Sequence, residues 1–162
     1  MVDTLYSPTL GKLPLREVLL RMAEFQRERP AAHYRLLIGT DSLPASNGKA
    51  ALVTAIVLLR EGNGGIYFWL KETHSHLVTL RLRMVQETLS SIEVAKKFVE
   101  HIDCLPILSG DIEIHVDIGH QGPTRDMIRE IAGMVKANGF PVFTKPFAVA
   151  ASTVADRHTC PS

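Results

Sequence analysis

Two hydrophobic rhythms alternate along the chain. Leu15, Val18, Leu19, Met22 and Phe25 recur at the three- and four-residue spacing of one helix face, and Pro30 follows, so an amphipathic opening helix is predicted over about residues 13–29. Tyr34–Ser42 (YRLLIGTDS) reads as a short strand that breaks into a turn-forming segment with Pro44, Asn47 and Gly48. Ala50–Arg60 is a nearly unbroken apolar run, E-G-N-G-G follows, and Ile66–Thr73 is again rich in strand formers. Asn63-Gly64 between two such runs marks a hairpin, because tight hairpin turns need positive φ. Leu80, Met84, Leu89, Ile92, Phe98, Val99 and Ile102, with charges between them, predict a long helix over Thr79–Asp103 that Thr79 caps. Ile112–Gly119 reads as a strand and Thr124–Asn138 as a helix with Gly139 as its C-cap. Pro141–Pro146 reads as a short strand and Ala148–Thr159 as a closing helix of small residues.

The predicted order is α-β-β-β-α-β-α-β-α. An antiparallel hairpin joined to two β-α-β steps gives an α/β fold with a mixed five-stranded sheet and helices on both faces. The length of 162 residues suits a single domain over residues 1–162, with a core over about residues 34–159 and the N-terminal helix as an addition. That helix is free either to pack on the sheet or to support a homodimer.

Composition narrows the picture further. Apolar residues make up 46% of the chain and no segment is low in complexity, which excludes disordered and collagenous classes. A net charge of +1 gives no strong global field, so a polyanion has to be held by a local patch. Asp3, Lys12, Arg16 and Glu17 interrupt the first twenty residues, which makes them a poor signal peptide, and no apolar run approaches the length of a membrane span. Cys104 and Cys160 fit free thiols in a reducing cytoplasm.

The stretch E-I-H-V-D-I-G at residues 113–119 carries the first chemical signal. In extended form Ile114, Val116 and Ile118 share one face, and Glu113, His115 and Asp117 the other. Asp117 ends this strand as Asp41, in G-T-D-S, ends the first one. If the two strands are parallel neighbours, both carboxylates reach a crevice at the carboxyl edge of the sheet, where α/β folds bind ligands. Glu87 lies three residues after Met84 and four before Ser91 in the long helix, on the face that leans toward the sheet. Asp156 follows Ser152 by four residues in the last helix. Clustered carboxylates repel and raise one another's pKa unless a cation is present. Such a cluster makes physical sense around Mg²⁺ or Mn²⁺, and two ions about 3.5–4 Å apart can activate a water and steady the leaving oxygen of a phosphodiester.

The order of these pieces resembles the ribonuclease H-like superfamily: three antiparallel strands, a helix carrying Glu, a strand ending in Asp and a last helix carrying Asp. More narrowly, G-T-D-S, R-M-V-Q-E, E-I-H-V-D-I-G and V-A-D-R-H-T are similar to the YkuK family of ribonuclease H-like proteins, from about Leu36 to Thr159. The resemblance implies that Asp41, Glu87, Asp117 and Asp156 form the metal-binding set of a two-ion, Mg²⁺- or Mn²⁺-dependent nuclease. The implied partner is nucleic acid, whether RNA, DNA or a hybrid.

Neighbouring residues extend the candidate site. His115 is placed to act beside the metals and His158 to assist the leaving group. Ser42, His120, Gln121, Arg125, Lys145 and Arg157 are candidates for substrate contact, as phosphate contacts position nucleic acid without reading its sequence. Glu113 is expected to lie outside the site. His74 and His76 in T-H-S-H lack the further ligands that a zinc site needs. Two rivals stand beside the nuclease. One is a catalytically inert ribonuclease H-like module that binds nucleic acid or protein. The other is a relative of the actin and sugar-kinase ATP-binding domains, suggested by V-D-I-G followed by Thr124.

Overall fold

The computed structural model describes residues 3–44, 46–105, 112–148, 154–155 and 157–158. Asp156 lies outside the described residues. Among the described residues, seven strands and three full α-helices are formed, in the order β1 (Thr4–Ser7), β2 (Gly11–Pro14), α1 (Leu15–Glu28), β3 (Tyr34–Pro44), β4 (Ala50–Arg60), β5 (Gly65–His74), α2 (Leu80–Val99), β6 (Ile112–His115), α3 (Ile128–Ala137) and β7 (Val142–Phe143). They make one mixed sheet of strand order β2-β1-β5-β4-β3-β6-β7. The β3–β4 and β4–β5 pairs are antiparallel, and the β3–β6 and β6–β7 pairs are parallel.

The sheet therefore has seven strands and not the expected five. The five expected strands are present, three antiparallel and two parallel, and the N-terminal β1–β2 hairpin extends them beyond β5 through the pair Tyr6↔Trp69. That hairpin is hard to read from sequence because each strand has only four residues. Its apolar signal is confined to Leu5, fully buried, and Leu13 packed beside the core. Gly11, at φ +69°, lets the chain turn between the two strands.

Other boundaries shift for local reasons. The β4–β5 turn takes positive φ at Gly62 and Gly64 and not at Asn63, so it is wider than a two-residue turn. The Thr79 hydroxyl accepts from the Leu82 N–H and caps α2 as its sequence position suggests. The third helix opens with a 3-10 turn over Arg125–Met127, and its α-helical part starts only at Ile128. Gly139, at φ +87°, closes it. The strand β6 stops at His115, so Asp117 stands just beyond the ladder. Val154, Ala155, Arg157 and His158 are helical, within the expected closing helix.

The main core lies between the sheet and α1, α2 and α3. Leu36, Ile38, Ile56, Ile112 and Ile114 meet Val18, Met22, Ile92, Phe98 and Ile131 there. The opposite face carries smaller clusters, in which Val154 packs near Leu37 and Val57, and Ala155 near Val53 and Ala55. The opening helix α1 packs on the sheet, and buried Arg60 pins its end. The Arg60 guanidinium donates to the Phe25 carbonyl (2.8 Å) and to Glu28 (2.9 Å), and lies 3.8 Å from the Phe25 ring centroid. Among the described residues no helix is long and apolar enough to cross a membrane.

Candidate functional site

The carboxyl ends of β3 and β6 set the geometry. The two strands are parallel neighbours with Leu37 opposite Glu113 and Gly39 opposite His115. Asp41 and Asp117 each follow two residues later, at the same edge of the sheet. This is the juxtaposition on which the two-aspartate reading depended.

Glu87 arrives from the helix by a simple match of periods. Alternate strand residues repeat at roughly 6.6 Å and residues four apart in a helix at roughly 6 Å, so two strand rungs face two helix turns. Thr40 meets Ser91, their hydroxyls 2.8 Å apart, and the Ser42 hydroxyl donates to the Glu87 carboxylate. The α2 helix thus runs antiparallel to β3, with Glu87 delivered to the carboxyl edge. Glu87 is only 6% exposed. Burial pushes its carboxyl up to about 8; the Ser42 hydrogen bond and Arg83 oppose the rise, and the charges of Asp41 and Asp117 add to it.

Asp41, Ser42, Glu87 and Asp117 line one cavity of about 320 Å³, whose walls also include Arg83, Gln121, Thr124 and Lys145. The Lys145 ammonium stands 2.6 Å from Asp117 Oδ1, an ion pair outside hydrogen-bond geometry. Of the sequence-predicted substrate residues, Ser42, Gln121 and Lys145 are therefore in this cleft. His120, Arg125 and Arg157 are exposed and do not line it. His158 stacks on Trp69 with ring centroids 3.7 Å apart and planes at 7°, over β5 and two strands from β3. Phe68 is core, and Trp69 is half-buried beside Tyr6 and Tyr67.

His115 is buried at 3% exposure, and Glu113 proves to be its partner and no outlier. Arg35 grips Glu113 with two hydrogen bonds, Nε to Oε1 at 2.7 Å and Nη2 to Oε2 at 2.6 Å. His115 Nε2 lies 3.2 Å from Glu113 Oε2. Burial pushes the Glu113 carboxyl up, but the hydrogen bonds from Arg35 and His115 outweigh it and hold the carboxyl below its usual range. Burial also lowers the His115 pKa, against the pull of Glu113. Arg35 sits six residues before Asp41 in the same strand, a position whose partner only the β3–β6 pairing discloses.

Hard oxygen donors dominate the cleft, as Mg²⁺ or Mn²⁺ requires, and Glu87 is raised there first by its burial and then by the charges of Asp41 and Asp117. The Lys145 ammonium on Asp117 and the Ser42 hydroxyl on Glu87 stand where a cation would otherwise meet these groups. Among the described residues no three His, Cys, Asp or Glu side chains are grouped to hold a metal ion.

A mixed sheet of this order with acids gathered at its carboxyl edge defines the class of the protein. The family model of ribonuclease H-like proteins matches residues 17–160, and the chain belongs to that family. It is 29% identical over 165 residues to the uncharacterized protein YkuK of Bacillus subtilis (strain 168), an alignment covering 95% of each chain. No solved structure matches the chain.

Proposed function

We propose that the protein is a divalent-metal-dependent nuclease that hydrolyses phosphodiester bonds of nucleic acid. The observation that carries this reading is the meeting of Asp41, Glu87 and Asp117 in one cleft, with both aspartates raising the Glu87 pKa. Asp41, Glu87 and Asp117, joined by Asp156, would hold the metal; a bound pair of ions supplies activation of water and stabilisation of the leaving oxygen. The protein's own groups do the rest. Arg83 and Lys145 at the cleft supply positive charge for the phosphate, and Gln121 and Thr124 offer polar contacts beside it. Water attacks the phosphorus as the bond to the 3′ oxygen breaks. The water loses a proton to solvent and the leaving oxygen takes one up, giving a 5′-phosphate and a 3′-hydroxyl.

The test is a Mg²⁺ and Mn²⁺ titration of the wild type and Asp41→Asn on single-stranded, duplex, hybrid and branched nucleic acids. Cleavage that needs the metal and disappears with the substitution supports the reading. A second reading, a ribonuclease H-like module that binds without cutting, is favoured by the lack of a three-residue metal group among the described residues. Tight nucleic-acid binding with no cleavage of any substrate would select it.

A further inference from the structure

A row of aromatic rings lies on the side of the sheet turned away from the main core. Along β5, Phe68 and Leu70 point into the core at 3% and 5% exposure, so Tyr67, Trp69 and Lys71 take the opposite face. Tyr6 of β1 pairs with Trp69, and Lys12 of β2 pairs with Tyr6, so both share that face. The Trp69 ring is near-parallel to two others. Tyr6 has its centroid 5.9 Å away and its plane at 25°, and His158 lies at 3.7 Å and 7°. Tyr67 lies 6.0 Å from Trp69.

Packing accounts for only part of this group. Tyr67 and Trp69 lean against the small clusters that Val154 and Ala155 cover. Tyr6 belongs to no buried cluster among the described residues and is 38% exposed. An exposed ring in line with a tryptophan offers a π-face, on which any nucleobase can stack whatever the sequence. Positive charge surrounds the rings. Lys12 and Lys71 are exposed, as is Arg157 next to His158, and among the described residues no carboxylate pairs with any of the three. Stacking rings with cations beside them suit a single strand, whose bases are open and whose phosphates run alongside.

Strand direction connects the rings to the acidic cleft. β3 and β5 both run antiparallel to β4, and Val53 of β4 pairs with Asp41 on one side and Lys71 on the other. Climbing β5 from Tyr67 through Trp69 to Lys71 therefore leads to the level of Asp41. At roughly 4.8 Å per strand, the backbones of Lys71 and Asp41 are roughly 10 Å apart. We propose that Tyr6, Tyr67 and Trp69 form a base-stacking platform for single-stranded nucleic acid, with Lys12, Lys71 and Arg157 holding the phosphates of a strand led toward the cleft.

The proposal rests on the nuclease reading for what the strand is held for, and its binding is tested apart from cleavage. Trp69 is the chain's single tryptophan, so its emission reports the platform directly. The full chain is titrated, in EDTA and again as Asp41→Asn in Mg²⁺, with oligothymidylate and oligouridylate of about 12 nucleotides and with a blunt duplex. The single strands are expected to quench Trp69 in step with the rise in anisotropy of a labelled strand, and the blunt duplex to bind more weakly. Tyr6→Phe keeps the ring and is expected to bind as the wild type does. Tyr6→Leu, first shown to be folded by circular dichroism, keeps the bulk without the π-face and is expected to bind roughly five- to a hundredfold more weakly. Lys12→Gln and Lys71→Gln are each expected to reduce the salt slope of log K by about 0.7. Binding that leaves Trp69 emission unchanged overturns the platform, as does an unchanged affinity in Tyr6→Leu, a duplex bound equally well, or no binding in either condition. A salt slope unmoved in both lysine variants overturns the phosphate contacts. Binding with quenching but no cleavage by the wild type in Mg²⁺ or Mn²⁺ leaves the platform standing and defeats the nuclease reading alone.

Discussion

Replacing Glu87 by Gln isolates the electrostatic tension of the cleft. The substitution keeps the shape of the side chain and an oxygen that accepts from Ser42, and removes only the ionisable proton. In the folded protein the Glu87 pKa rises from 4.5 to about 8. The folded state thus holds the proton more tightly than the unfolded chain. Its contribution to stability is fully present below pH 4.5 and is lost as the pH climbs through about 8. At about 1.4 kcal/mol per unit, the full difference amounts to about 5 kcal/mol. For a chain of this size each kcal/mol moves Tm by roughly 2–4 °C, so the wild type should lose roughly 3–6 °C per pH unit between pH 5 and pH 8 through this group. Burial of neutral His115 has the opposite sign, favouring the fold above pH 6.5 and costing stability below its lowered pKa. That contribution is common to both proteins and cancels in their difference. The assay is thermal unfolding of metal-free wild type and Glu87→Gln at half-unit pH steps. The gap between the curves should move in favour of the variant as pH rises. Parallel curves from pH 5 to pH 8 would refute the raised pKa and the effect of burial behind it.

Further outcomes follow from the same geometry. If a divalent ion displaces the Glu87 proton, Mg²⁺ should raise the wild-type Tm more at pH 8 than at pH 6, and equal shifts at the two values would count against a role for Glu87 in holding it. Lys145→Ala removes the ammonium from Asp117 and should tighten Mg²⁺ binding severalfold by calorimetry; weaker binding would show that the lysine does not compete with the ion. Gln26 is fully buried with neither side-chain polar atom hydrogen-bonded, so Gln26→Met should stabilise the fold by about 1–3 kcal/mol, seen as a higher urea midpoint with an unchanged m-value. A Cβ at Gly65 would stand 2.7 Å from the Leu58 carbonyl oxygen, so Gly65→Ala should lower Tm by several degrees, and an unchanged Tm would mean that the β4–β5 hairpin yields there at little cost.

What was legible in the sequence depended on how many residues each signal engaged. The β4 run, the α2 face and the β3 strand each span ten or more positions, so their periods survive single exceptions. The β1–β2 hairpin rests on four residues per strand, too few for a period, and its pairing to β5 through Tyr6 and Trp69, far along the chain, decides the outcome. The meeting of Asp41, Glu87 and Asp117 was readable because each place follows from local patterns: two positions just past the last β3–β6 pair and one helix face. His158 was not, because its place is set by a stack on Trp69, and nothing within either segment announces the other.

Glu113 makes the same point from within a single strand. Alternation puts Glu113 and His115 on one side of β6, with Asp117 two residues past its end, yet it cannot say which of the three is answered by a partner. Arg35 answers Glu113 across the parallel pairing of β3 with β6, 78 residues away in sequence. Glu113, held by Arg35, stands in turn 3.2 Å from His115 Nε2. The charged face of the strand is thus graded along its length. Its first acid is neutralised by arginine, its histidine meets that acid, and the acid that follows lines the cleft beside an exposed lysine. A solvated edge strand has no need of that gradient, since water answers every position alike. A strand that delivers one carboxylate to a reaction does need it, because each charge behind that carboxylate has to be settled before the last one can act.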